Sequence, residues 1–127
     1  MIGVLVDTSV WVDHFRQHND ALTRLLELDM VLTHPMVLGE LACGTPPART
    51  QTLTDIERLQ QTRQASMREV MDFVEGEKLY GLGCGLVDMV LLASTLMTPG
   101  TELWTQDKRL LLLSQRFKVA HQSVQQN

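Results

Sequence analysis

VLVDTSVWVDHF, residues 4–15, joins an apolar run to an apolar helix through Asp7, Thr8 and Ser9. The run IGVLV at 2–6 has strand length and no polar alternation, the pattern of a parallel strand covered on both faces. Its helix is expected at 9–17, so the stretch reads strand, acid, helix. A carboxylate at the inner end of a core strand costs free energy unless something partners it. Asp7-Thr8-Ser9 suits a helix N-cap, which is one partner.

The same alternation continues outward. A second helix is expected at 20–28, capped by Asn19 or Asp20, then a strand at 31–34 and a helix through 36–43 with Pro35 in its first turn. GTPPA at 44–48 breaks the chain, and two polar helices follow at 49–64 and 66–79. After the YGLGCG loop at 80–85 come an apolar helix at 86–96, a strand at 102–105 and a helix at 107–115. FKVAH at 117–121 is a candidate fourth strand, and SVQQN reads as a frayed tail. Strands alternating with helices predict a parallel sheet covered on both faces. In such sheets ligands bind outside the carboxyl ends of the strands, where Asp7 and Asp107 fall.

The 127 residues suit one domain spanning 1–127, and 44% apolar with 20% charged residues is a soluble globular composition. Neither 2–6 nor 110–113 is long enough for a signal peptide or a membrane span, so a cytoplasmic protein with no membrane partner is expected. Cys43 and Cys84, without a CxxC, read as reduced core residues. A net charge of −4 excludes binding nucleic acid by bulk positive charge.

Helical acids normally have polar company at i±3 and i±4. Asp13, Asp55 and Glu69 do, and Asp13 reads as a surface residue. Glu40, with Met36, Val37, Cys43 and Gly44 at those offsets, does not, and neither does Asp88, with Cys84, Gly85, Leu91 and Leu92. Both are therefore expected on buried faces. With Asp7 and Asp107 they form four misplaced carboxylates that one divalent metal would satisfy together. Oxygen-only ligands favour Mg²⁺ or Mn²⁺. Separately, Asp7 and Asp107 could be caps and Glu40 could pair with a distant arginine.

Four segments carry a resemblance: VLVDTSVWVDHF at 4–15, VLGELACG at 37–44, GLVDMVLLAS at 85–94 and LWTQDKRL at 103–110. In order and spacing the chain resembles a PIN-domain ribonuclease of the VapC type, the toxin of bacterial toxin–antitoxin pairs. The resemblance implies a three-layer α/β/α sandwich with a mostly parallel central sheet. It implies Asp7, Glu40, Asp88 and Asp107 as catalytic and metal-binding residues, with Thr8, Ser9 and Thr105 as supporting hydroxyls. It further implies an endoribonuclease dependent on Mg²⁺ or Mn²⁺, an RNA substrate with transfer RNA among the candidates, neutralisation by a cognate antitoxin, and a homodimer. Within that reading Glu40 either ligates a second ion or orients the attacking water. The four acids carry the whole formal excess of −4, leaving the remainder neutral. Arg16, Lys108, Arg109 and Arg116 are the cations that could meet phosphates.

Other signals are weaker. His14 and His18 have zinc-like spacing but no HExxH glutamate and no third ligand. GLGCG lacks the Lys-Ser/Thr of a phosphate loop and is expected to permit close packing ahead of the Asp88 helix. Trp11 and Trp104 adjoin apolar segments and are expected in the core or a dimer surface. Two alternatives are a phosphoacceptor receiver-like domain, disfavoured because the acid ends the first strand, and a non-catalytic PIN scaffold, disfavoured by the intact acid set.

Overall fold

The structure is a computed structural model and describes residues 3–122. Its strands are β1 (Gly3–Val6), β2 (Val31–Thr33), β3 (Gln60–Gln61) and β4 (Thr101–Trp104). Its helices are α1 (Thr8–Arg16), α2 (Asp20–Glu27), α3 (Pro35–Ala42), α4 (Arg49–Glu57), α5 (Met67–Glu77), α6 (Leu86–Leu96) and α7 (Lys108–Arg116). The four strands form one parallel sheet in the order β3-β2-β1-β4. Helices on both faces make the expected α/β sandwich, the only arrangement that covers a sheet of this kind.

Val4, Leu5 and Val6 are fully buried, each contributing about 1.5–3 kcal/mol of hydrophobic stabilisation. In α6 every residue from Met89 to Thr95 is buried, as expected for a helix apolar on all sides. Trp11 and Trp104 both lie in the core. The helix starts follow their local chemistry. Asn19 Oδ1 accepts from the Leu22 amide of α2, Pro35 occupies the first turn of α3, and Ser66 and Glu69 exchange hydrogen bonds at the start of α5.

From β1 the chain moves one way to β2 and β3, then returns to β4 on the other side of β1. The strand order therefore reverses between β1 and β4. A crevice opens outside the carboxyl ends of strands at such a reversal. Asp7 follows β1 directly, and the segment 105–107 follows β4.

Several expectations are corrected. The helix expected at 49–64 stops at Glu57, and Gln60–Gln61 instead pairs with Leu32 and Thr33 of β2. Both glutamines are exposed at the sheet edge and are held by main-chain bonds that side-chain polarity does not report. FKVAH supplies a single bridge, Leu103 to Ala120, because the chain leaves α7 with Lys118 at φ 62° and only 119–121 lie alongside β4. Cys43 is exposed at the C-cap of α3 and Cys84 half-buried before α6, so neither is a core residue. The tail SVQQN, at 123–127, lies outside the described residues. Among the described residues no helix is long and apolar enough to cross a membrane.

Candidate active site

Asp7 is held by donors on both carboxylate oxygens. Oδ1 accepts from the Thr8 amide at 2.8 Å, and Oδ2 accepts from Ser9 Oγ at 2.8 Å and Thr105 Oγ1 at 2.7 Å. Only 6% of Asp7 is exposed, so these bonds offset most of its desolvation. The two hydroxyls also accept main-chain bonds: Gln106 N–H reaches Ser9 Oγ at 3.0 Å and Asp107 N–H reaches Thr105 Oγ1 at 3.0 Å. Ser9 and Thr105 thus tie the start of α1 to the turn after β4. The Gln106 side chain adds a bond from Nε2 to Asp13 Oδ2 at 3.2 Å, which leaves half-buried Asp13 bonded away from the other acids.

Capping and pocket formation prove compatible rather than alternative. Asp107 Oδ1 caps α7, accepting from the Arg109 amide at 2.9 Å and the Leu110 amide at 3.0 Å, which leaves Oδ2 for other use. Asp88 stands in the first turn of α6, where its Oδ2 accepts from the Gly85 amide at 3.3 Å. Glu40 Oε1 accepts from Thr8 Oγ1 at 2.6 Å. It is exposed rather than buried: of its four neighbours at i±3 and i±4 only Val37 is buried, while Met36, Cys43 and Gly44 are exposed like Glu40 itself. Among the described residues no arginine pairs with it.

The electrostatics bring the four acids together. The Asp88 carboxyl is pushed above its ordinary value chiefly by burial, against the Gly85 amide, and further by the negative charges of Asp7, Asp107 and Glu40. Burial, Asp88 and Asp107 likewise push up the Cys84 thiol, while Arg109 opposes them. Among the described residues the ion pairs are His18–Asp20, Arg68–Asp72, Arg116–Glu77 and His121–Glu102, and none involves these four acids. Among the described residues, as their side chains stand, no three carboxylate, imidazole or thiol groups come close enough together to hold a metal ion. The arrangement is an open cluster of oxygen donors with spare lone pairs and uncompensated charge. That donor set fits a hard divalent cation and does not fit zinc or copper.

The proposed cations are placed unequally. Lys108 and Arg109 are exposed at the start of α7, and Arg109 Nη1 also donates to the Gly83 carbonyl at 3.4 Å. Gly83 has φ 89°, and a Cβ there would lie 2.8 Å from the Arg109 side chain, so the GLGCG loop does permit close packing. Arg116 stands at the opposite end of α7, about 12 Å along the helix axis from Lys108. There it is bonded to the Glu77 carbonyl and stacked on Phe117, so it does not flank the acids. Arg16 is exposed at the end of α1 and lines a cleft of about 350 Å³ that also contains Thr8 and Glu40. His14 and His18 turn to other partners: His14 Nδ1 accepts from the Asn19 amide, and His18 contacts Thr23 and Asp20.

Sequence reasoning did not single out Gln106, which bridges the turn after β4 to Ser9 and Asp13. Its adjacency to Thr105 and Asp107 was the available signal.

Comparison with known proteins adds two findings. The model of the PIN domain family matches residues 4–114. The chain is 41% identical over 107 residues to Ribonuclease VapC32 of Mycobacterium tuberculosis, in strains CDC 1551 / Oshkosh and ATCC 25618 / H37Rv. That match covers 84% of this chain and 86% of the relative.

Proposed function

The chain belongs to the PIN domain family, in its VapC type, and from that premise we propose that it is the endoribonuclease toxin of a toxin–antitoxin pair. Its reaction is hydrolysis of RNA phosphodiester bonds, supported by Mg²⁺ or Mn²⁺, with a cognate antitoxin as its inhibitor. The observation that carries this reading is the uncompensated cluster of Asp7, Glu40, Asp88 and Asp107 at the sheet's carboxyl edge. The similarity to a ribonuclease supports the substrate class.

Asp7, Asp88 and Asp107 would hold the ion. A bound divalent cation supplies a water of lowered pKa and screens charge on the phosphoryl oxygens. The protein's own contribution is positional. Ser9, Thr105 and the Thr8 amide fix both oxygens of Asp7, so that carboxylate needs no rearrangement to bind. Asp107 is fixed by the first turn of α7 and Asp88 by the Gly85 amide. Glu40, steadied by Thr8 Oγ1, is exposed and serves either to ligate a second ion or to orient the attacking water. Lys108 and Arg109 at the start of α7 are placed to meet substrate phosphates.

Transfer RNA is the substrate we favour, and the cytoplasm the site of action. The remaining partner in this reading is a second copy of the chain. Met67, Met71, Tyr80, Leu82 and Leu86 are large apolar side chains left exposed on α5, the loop after it and the first residue of α6, a surface suited to self-association.

The deciding experiment incubates purified protein with transfer RNA in Mg²⁺ and in EDTA, alongside an Asp7→Asn variant. Internal cleavage in Mg²⁺ alone, abolished by the substitution, is expected. Cleavage that persists in EDTA or in the variant would sink the reading.

A further inference from the structure

The cleft beside Glu40 has features that the acid cluster does not explain. Val12 and Phe15 of α1 and Leu41 of α3 supply apolar surface, Pro46 and Pro47 of the following loop close one side, and Arg16 stands at the rim. Arg16 is the one cation lining it, and it makes no ion pair with any described residue. The volume, about 350 Å³, falls within the range of about 300–1,000 Å³ typical of small-molecule sites. Thr8 and Glu40 belong both to this cleft and to the acid cluster, so the two are continuous.

Resting on the ribonuclease reading above, we infer that this cleft is a specificity subsite for one unpaired nucleotide next to the scissile phosphate. The chemistry divides along the cleft. A nucleobase offers a flat apolar face, which the Phe15 ring and the Val12 and Leu41 side chains can cover. A backbone phosphate needs a donor of positive charge, and beside four carboxylates it would otherwise meet repulsion. The Arg16 guanidinium, set to the side of the acids, holds that phosphate through a planar pair of N–H groups. An RNA strand crossing the acid cluster and turning into the cleft therefore places its base on apolar surface and its phosphate on Arg16. The bases of a duplex are stacked and paired, so only an unpaired nucleotide can enter.

Two variants test this without cutting into the core. Arg16→Gln removes the charge from an exposed position, and Thr45→Trp fills the cleft from an exposed loop residue that lines it. Cleavage of a single-stranded RNA library with randomised sequence, in Mg²⁺, is mapped by end sequencing, and kcat and KM are measured on one preferred oligonucleotide. Wild-type protein is expected to prefer particular bases at one position flanking the cut. Thr45→Trp loses that preference, and Arg16→Gln raises KM about tenfold with a smaller effect on kcat. A Thr45→Trp protein that keeps both preference and KM leaves the cleft to another occupant, such as a protein segment, and overturns the subsite while the ribonuclease reading stands. Wild-type protein that cleaves no RNA in the library overturns both.

Discussion

Two polar clusters lie close in this fold and resolve the same physical problem in opposite ways. At His34 and Ser94, which are 3% and 0% exposed, both ring nitrogens and the hydroxyl oxygen find partners inside the protein. His34 Nδ1 accepts from the Met36 amide, so its proton sits on Nε2 and points at Ser94 Oγ, 3.2 Å away. Ser94 Oγ also accepts from the Ala65 amide at 3.1 Å. Burial lowers the pKa of His34, and the neutral ring suits its surroundings. At the sheet's carboxyl edge, by contrast, four carboxylates gather with donors enough to orient them and, among the described residues, no ion pair to balance them. A polar group that finds its partners inside the protein is architecture. One that is oriented but left charged is prepared for something from outside.

The largest test of that contrast is Asp7→Asn. The hydroxyls of Ser9 and Thr105 can rotate to suit an amide, so the fold should persist while RNA cleavage falls by roughly a thousandfold or more, read as kcat/KM. The converse change, Ser94→Ala, leaves His34 Nε2 and the Ala65 amide without partners. It should cost about 2 kcal/mol in a urea unfolding curve while RNA cleavage is retained.

Thr8→Val probes the link between the two kinds of role, because it removes the hydrogen bond from Thr8 Oγ1 that steadies Glu40. Activity should drop about tenfold with little change in Tm, since an exposed hydrogen bond adds little to stability. A large loss of Tm instead would make Thr8 a folding residue.

The smallest effect is expected from Asp88→Asn measured in EDTA. Asp88 has its folded pKa raised above its ordinary 3.8, so the folded state binds the extra proton. Its contribution to stability is therefore full below 3.8 and declines as pH rises through the raised value. The Asn variant should match wild type in acid and exceed it at neutral pH by about 2 °C in Tm, or about 0.5 kcal/mol after solvent screening. Mg²⁺ should raise the Tm of wild type more than that of the variant.

The legibility of these features in the sequence followed the physics behind each. Asp7 and Asp88 were found as acids among apolar neighbours, and their surroundings are indeed partly or wholly desolvated. Apolar residues at i±3 and i±4 do not put Glu40 on a buried face, because three of the four, Met36, Cys43 and Gly44, are exposed and only Val37 is buried. β1, β2 and β4 were visible because apolar runs mark covered strands. β3 was not, because two exposed glutamines join the sheet through their backbone alone. Arg116 was grouped with Lys108 and Arg109 by nearness in sequence, yet a helix of nine residues separates its ends.

Thr105 donates to an aspartate 98 positions before it in the chain, and β4 completes the flank of β1 only after all the other strands have been made. During synthesis, a chain still short of residue 101 already contains Asp7, Glu40 and Asp88 but lacks the strand and the hydroxyl that set the first of them. The acid cluster is thus assembled last, by the closing of a loop that spans most of the molecule. An unfinished chain on the ribosome has the ingredients of the site without its geometry, so that competence comes with completion.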